Sequence, residues 1–537
     1  MTADLILCNA RAITLNPNQP LAQAVAIAGE SILAVGDTRE IQALASAKTQ
    51  VVDCRGLTLL PGFIDAHCHL LALAGSLTGV DCSPEAVKSV ADLQIALRQR
   101  ADATPHGQWI RGYGYDDTSL LEYRHPTRHD LDQAAPHHPV RLDHRSGHAV
   151  VLNSRGLELA GIHQHTPDPL DGVIDREPGS GEPTGLLFEM SGFLRERLRG
   201  GRSEESHRQG IAQLIQKLLE CGITSVQDAG PHNGMARWCA FQELVSSGQL
   251  DCRLTMMVGT DQLADFAAAG MSFGSGDRRL MLGPAKIMLN MTTGTMQPDL
   301  DDLTDLVRQA HTAGFPVAIH AVEQDAVAAA AQALIAALAA ASDDSIGEKI
   351  PATSSNVKIP VDRIEHCSEC PPQVLELVRR SGATVVTQPG FVYWNGDRYL
   401  KQVDASLLPH LYPIGSLHRA GVPVAFSSDS PVIDPNPWPG ICAAVTGITK
   451  AGSVLNPNLA GPDQQIGVLE ALRMYTLAGA MAEGTHPLKG SIKPGKLADL
   501  ILVDDDPLGV ASERLEHISA VLTVIGGRIA WDAGLCD

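Results

Sequence analysis

Two histidines one residue apart, His67 and His69, stand at the polar end of the apolar segment 61–70, PGFIDAHCHL. On a β-strand both point to one face, and Cys68 between them points to the other. Two imidazoles at the C-terminal end of a strand suit a divalent cation that takes neutral nitrogen ligands and keeps a position open for water. A His-x-His pair alone also fits ordinary surface or core histidines, so this chemistry depends on partners elsewhere in the chain. Short apolar runs supply them, each ending in a polar residue and separated from the next by helix-like sequence. The runs are 223–228 (ITSVQD), 253–258 (RLTMMV), 285–290 (AKIMLN), 316–320 (PVAIH), 363–366 (RIEH), 383–388 (ATVVTQ) and 422–429 (VPVAFSSD). With the His-x-His strand they make about eight, the number that closes a parallel barrel. Lys286, His320, His366 and Asp429 fall on or at the ends of these runs. In a (β/α)8 barrel the C-terminal strand ends converge on one site, so residues far apart in sequence meet there.

The elements that must position these residues define an α/β chain built on a TIM barrel. The first sixty residues alternate apolar and polar positions in short pieces broken by Gly and Asn-Pro, and the stretches 490–503 and 520–531 share that character. Neither end has enough strands for a core of its own, so residues 1–60 and 488–537 are expected to combine into one small β-sandwich domain. The barrel then spans residues 61–487. About 150 residues separate its first strand from the second, far more than a usual βα connection. Residues from about 75 to 215 are therefore expected to form an inserted subdomain that caps the barrel mouth. The polar, Pro/Ser/Thr-rich stretch 342–360 reads as a surface loop.

Lys and Arg number 41 against 61 Asp and Glu, a net charge of −20 that disfavours nucleic acid or an anionic membrane as partner. The uncharged stretch 326–342 is short for a membrane span and mostly alanine, which suits a barrel helix. The start, MTADLILCNA, lacks a cationic region followed by an apolar core. Eleven scattered cysteines fit reduced thiols, and together these features point to the cytoplasm. Cys367 and Cys370 form a lone C-x-x-C without the second pair a zinc ribbon needs.

Taken with the N-terminal strands and the run 490–507, GSIKPGKLADLILVDDDP, the set His67, His69, Lys286, His320, His366 and Asp429 resembles the metal site of the amidohydrolase superfamily. The long insertion, RIEH ending at His366, SSDSPV at 427–432 and NSRGLELAGI at 153–162 are similar to its family-3 branch, which includes N-substituted formamide deformylases. The resemblance implies two divalent ions, Zn with Mn or Fe as alternatives. His67, His69 and Asp429 would hold the more buried one, and His320 and His366 the second. Lys286 would bridge them as an N6-carboxylated lysine, because an ammonium has no lone pair to give. The implied reaction is hydrolysis of a non-peptide, amide-type C–N bond in a small molecule. A hydroxide bridging the ions is the nucleophile. Asp429 moves its proton to the leaving nitrogen, and Lys286 and His366 complete the catalytic group.

His148, Arg145, Tyr393 and Trp394 are candidate substrate-binding residues. With Trp109, Tyr113, Tyr115 and Phe391 they suggest a pocket with flat apolar walls. The chain departs from many relatives near the expected substrate: it lacks Asp-Gly soon after Lys286, and it reads His320-Ala-Val-Glu where they have Gly-Asp after the histidine. Two rivals remain open. One is a single-metal deaminase of a heterocyclic amine, which needs no bridging lysine; the other is a non-catalytic scaffold, which would be expected to have lost ligands. A homodimer is compatible with the sequence.

Overall fold

The computed structural model describes residues 2–169, 172–198, 204–291, 294–343, 362–455 and 466–536. Eight parallel strands lie side by side: β1 (Phe63–Cys68), β2 (Ile223–Asp228), β3 (Arg253–Gly259), β4 (Leu280–Met288), β5 (Val317–Ala321), β6 (Arg363–His366), β7 (Thr384–Thr387) and β8 (Val424–Phe426). β8 and β1, at the two ends of this order, are stitched together just beyond β8. The Asp429 N–H donates to the His67 carbonyl and the His69 N–H to the Ser430 carbonyl, each at 2.8 Å. The residues that bring the sheet round on itself are thus among those with metal-binding chemistry. β4 begins at residue 280 rather than 285. Gly283-Pro284 is a turn signal in isolation, but here it is carried inside a strand held between β3 and β5.

The strands are buried along almost their whole length, as expected for a parallel sheet covered by helices. Helix α1 (Leu70–Leu77) follows β1, and α2 (Glu204–Glu220) leads into β2. α2 buries Ile211, Leu214, Ile215, Leu218 and Leu219, the spacing of one apolar helix face. Helix α3 (Leu300–Thr312) buries Leu303, Val307 and Ala310 in the same way. It starts where the Asp299 carboxylate accepts the Asp302 N–H at 3.0 Å. The alanine-rich stretch lies within helix α4 (Gln324–Asp343), after β5.

Strands from both ends of the chain form two further sheets, one of four strands and one of six. Leu5, Leu7, Val25, Leu59, Leu500, Leu502 and Leu522 share one core between them. Arg253 at the start of β3 donates to both oxygens of Asp499, at 2.7 and 2.9 Å, tying the barrel to the C-terminal strands. Another six-stranded sheet lies between β1 and β2 in the chain and has its own core, which includes Leu93, Leu97, Tyr115, Leu131 and Leu142. Most of the stretch 342–360 lies outside the described residues. Among the described residues no helix is long and apolar enough to cross a membrane. All eleven cysteines are free thiols, Cys367 and Cys370 buried among them.

Candidate metal centre

The strand ends gather four histidines, a lysine and an aspartate. His67 lies near the end of β1, and His69 is the residue before α1. Their Nε2 atoms lie 3.5 and 3.2 Å from Asp429 Oδ1. Cys68 turns its thiol the other way, to the Gln227 carbonyl at 3.6 Å, as strand alternation requires. Lys286, His320 and His366 enter from β4, β5 and β6. The His366 ring centroid is 4.9 Å from that of His67 and 4.4 Å from that of His320. All six sequence-predicted residues are therefore at the C-terminal mouth of the barrel. His366 (φ 68°) and Asp429 (φ 57°) hold left-handed backbone conformations. These cost a non-glycine residue about 1–3 kcal/mol and cluster at functional sites.

Polar atoms left without a partner test whether a metal fits. Lys286 Nζ and His366 Nε2 are buried and make no hydrogen bond among the described residues. A buried polar atom of this kind is costly unless something else satisfies it. The Nδ1 atoms of His67 and His366 are held by Glu365 Oε2 and by Gln388 Oε1 (2.8 Å), respectively. Each imidazole then carries its lone pair on Nε2, the arrangement metal-bound histidines use. The ligand atoms of His67, His69 and Asp429 all lie within 4.8 Å of one another. Neutral imidazoles beside an ionised carboxylate suit zinc or a neighbouring divalent ion.

The charge states agree with that use. Burial holds the His67 and His320 pKa values well below the ordinary 6.5, helped by the Lys286 and His366 charges, respectively; burial lowers His366 as well, against the pull of Asp429. Burial pushes the Asp429 carboxyl up, but the hydrogen bond from His69 and the charges of His67 and His366 outweigh it, leaving the group well below the usual carboxylate range. Burial brings the Lys286 amine down to about 8. Asp65, buried beside the mouth, is pushed up to about 6 despite accepting the Ser428 N–H at 3.0 Å.

Beneath the mouth lies a charged layer that sequence reasoning missed. Arg363 donates from Nε to Glu365 Oε1 at 2.7 Å and from Nη2 to Oε2 at 3.0 Å, and it reaches the Ala66 carbonyl at 2.8 Å and the Gln227 side chain. Both members of the pair are fully buried. The signal was available in RIEH: Arg363 and Glu365 share one face of a strand that is otherwise apolar and buried.

The substrate-binding candidates divide. His148 reaches the centre, with its ring centroid 5.8 Å from that of His320 and its Nδ1 bonded to Glu189 Oε1 at 2.8 Å. Burial lowers its pKa, but Glu189 more than compensates and holds it above the ordinary value. Arg145 donates to Asp116 Oδ2 at 3.0 Å and to Asn395, on helix α5 (Pro389–Gln402). The Lys450 ammonium sits 4.3 Å from the centroid of the Trp394 ring. The Tyr393 hydroxyl donates to Glu516. Tyr115 is not a pocket wall: it is fully buried in the core of the inserted sheet, and its hydroxyl bonds His125 Nδ1 at 3.0 Å. Alternation from Ile110 would turn Tyr115 to the opposite face; a bulge between Tyr113 and Tyr115, with Gly114 at φ 84°, breaks the alternation and brings Tyr115 into the same core as Ile110.

A parallel barrel with histidines, a lysine and an aspartate at its C-terminal mouth defines a metal-dependent hydrolase architecture, and residues 50–530 match the amidohydrolase family. The chain belongs to that family and is a hydrolase acting on carbon–nitrogen bonds. It is 28% identical to the N-substituted formamide deformylase of Arthrobacter pascens over 566 aligned positions, covering 98% of each chain. It is 25% identical to the putative amidohydrolase YtcJ of Bacillus subtilis, covering 91% of each. The crystal structure of an uncharacterized metal-dependent hydrolase from Pyrococcus horikoshii shares the fold, with a TM-score of 0.74 at 24% identity, over 95% of this chain and 99% of that one.

Proposed function

We propose that this chain hydrolyses a non-peptide, amide-type C–N bond of a small molecule at a centre of two divalent ions, zinc in the first instance. His67, His69 and Asp429 would hold one ion, His320 and His366 the other, with Lys286 between them as a carbamate. The observation that carries this reading is the Lys286 amine, buried without a hydrogen-bond partner among the described residues where His67 and His366 meet. Burial brings its pKa down to about 8, which favours the free amine more than in an exposed lysine. That neutral form adds to CO2 and releases one proton, giving a carbamate with two oxygens to offer.

Bound ions of this kind supply a water of lowered pKa and polarise a carbonyl oxygen. Asp429, held ionised well below the usual carboxylate range, would accept the proton from the attacking water at Oδ and return it to the departing nitrogen. His148, fixed through Nδ1 by Glu189, supports orientation of the substrate oxygen from the inserted sheet. Arg145, bonded to Asn395 on helix α5, and Trp394 on the same helix would border the approach, with Tyr393 bracing that helix through Glu516. The Arthrobacter relative's formamide activity favours an N-substituted formamide or other N-acyl amine as substrate. The acidic charge favours a small molecule over nucleic acid or an anionic membrane.

Metal-depleted protein should be inactive on N-formyl and N-acyl amines and recover on adding Zn²⁺ or Mn²⁺. Full turnover by protein verified as metal-free would refute the reading. Release of ammonia from ring amines with every amide left intact would favour the single-metal deaminase.

A further inference from the structure

We propose that Glu365 and Gln388 rank the two halves of the centre, making the His67 half the tighter ion site and the His366 half the weaker. This rests on the two-ion reading above. His67 and His366 look alike from the mouth, since each has Nδ1 engaged by a side-chain oxygen. They differ in what engages Nδ1. For His67 it is a carboxylate, Glu365. For His366 it is the neutral amide of Gln388, whose Nε2 donates in turn to Ser427 Oγ at 2.9 Å.

Glu365 is well fixed for this role. The Arg363 guanidinium grips both of its oxygens, and Arg363 is itself anchored to the Ala66 carbonyl and to Gln227, whose Nε2 donates to the Gly479 carbonyl at 3.1 Å. The guanidinium offsets the carboxylate charge at long range. It leaves intact the charge-assisted hydrogen bond to the imidazole, which is about twice as strong as one between neutral groups. A carboxylate behind an imidazole raises its basicity toward a metal, and losing such a partner costs about 10- to 100-fold in metal affinity. Gln388 fixes the orientation of its ring without adding charge. Asp429 acts in the same direction, placing a carboxylate oxygen 3.5 and 3.2 Å from the His67 and His69 nitrogens. Glu365 is a positioning residue: it acts through His67.

The test is a Zn²⁺ titration of the metal-free full-length chain against a chromophoric chelator. Wild-type protein should take up two ions with unequal affinities. Glu365→Gln should weaken the tighter step about 10- to 100-fold and leave the weaker one within about 2-fold. Gln388→Glu should strengthen the weaker step, because the Ser427 hydroxyl can turn to donate to the new carboxylate. Glu365→Gln leaves Arg363 buried without its carboxylate, so its folding is checked by circular dichroism. If it does not fold, Gln388→Glu decides alone. A folded Glu365→Gln with both affinities unchanged, or a Gln388→Glu with an unchanged weaker step, overturns the ranking. Two equal steps untouched by either substitution refute the ranking and leave the two-ion reading standing, whereas uptake of one ion per chain refutes the two-ion reading itself.

Discussion

Replacing Asp429 by Asn tests the proton transfer at the heart of the proposed reaction. The substitution is nearly isosteric and suits the backbone: Asp429 has φ 57°, and Asn is among the few non-glycine residues that visit this region readily. Its side-chain oxygen can still accept from His69, now 3.2 Å away, so the fold and the loop after β8 should survive. What is lost is a carboxylate that stays ionised well below the usual range and can take and return a proton. Proton transfer of this kind is worth about 10² to 10⁴ in rate, or roughly 3–5 kcal/mol in the barrier. The Asn variant should therefore lose at least about 100-fold in kcat while its melting temperature changes little. Asp429 is also a proposed ion ligand, so the comparison has to be made at matched metal content, measured by atomic emission. Near-wild-type kcat in a fully metallated Asp429→Asn protein would show that another group moves the proton.

Lys286→Ala should lose most activity and bind fewer ions per chain, with partial rescue by short carboxylic acids; an unmodified ammonium in a fully metallated crystal structure would remove the proposed bridge. Metal-free protein should lose stability below about pH 6.5. The folded-state pKa values of His67, His320 and His366 lie below 6.5, so the unfolded chain binds more protons in that window and stability rises with pH, by up to about 4 kcal/mol per unit if all three contribute. His148, raised by Glu189, acts in the opposite sense, stabilising at low pH and losing that contribution as pH rises. Urea melts in chelator from pH 5 to 8 measure the balance, and a flat profile would contradict the assignment of three neutral histidines. Asp499→Ala should strand the Arg253 guanidinium in a buried site and cost about 3–5 kcal/mol, seen as a lowered melting temperature. An unchanged melting temperature would mean that the barrel does not depend on this clamp.

The histidines, lysine and aspartate could be read from sequence because each sits where an apolar run meets a polar residue. In a parallel barrel that boundary is the mouth, so a one-dimensional signal locates a three-dimensional site. The layer behind them was harder to read, because its meaning lies in pairings that no local pattern encodes. Glu365 matters through His67, 298 positions away in the chain, and Arg363 through Ala66, 297 away. Alternation says that Arg363 and Glu365 share a face, but not that the face looks across the barrel at β1 rather than out at a helix.

Tyr115 was misread for a related reason. Tyr115 reads as pocket lining only if the inserted sheet turns that face to the mouth, and the sheet instead turns it inward, onto Leu97 and Leu142. His148, on the same insertion, does reach His320. The two differ in what burial costs them: a tyrosine with one bonded hydroxyl can be a core residue, whereas an imidazole beside a carboxylate keeps a second nitrogen that needs a partner. His148 therefore marks where the insertion meets the barrel, whereas Tyr115 belongs to the insertion's own core.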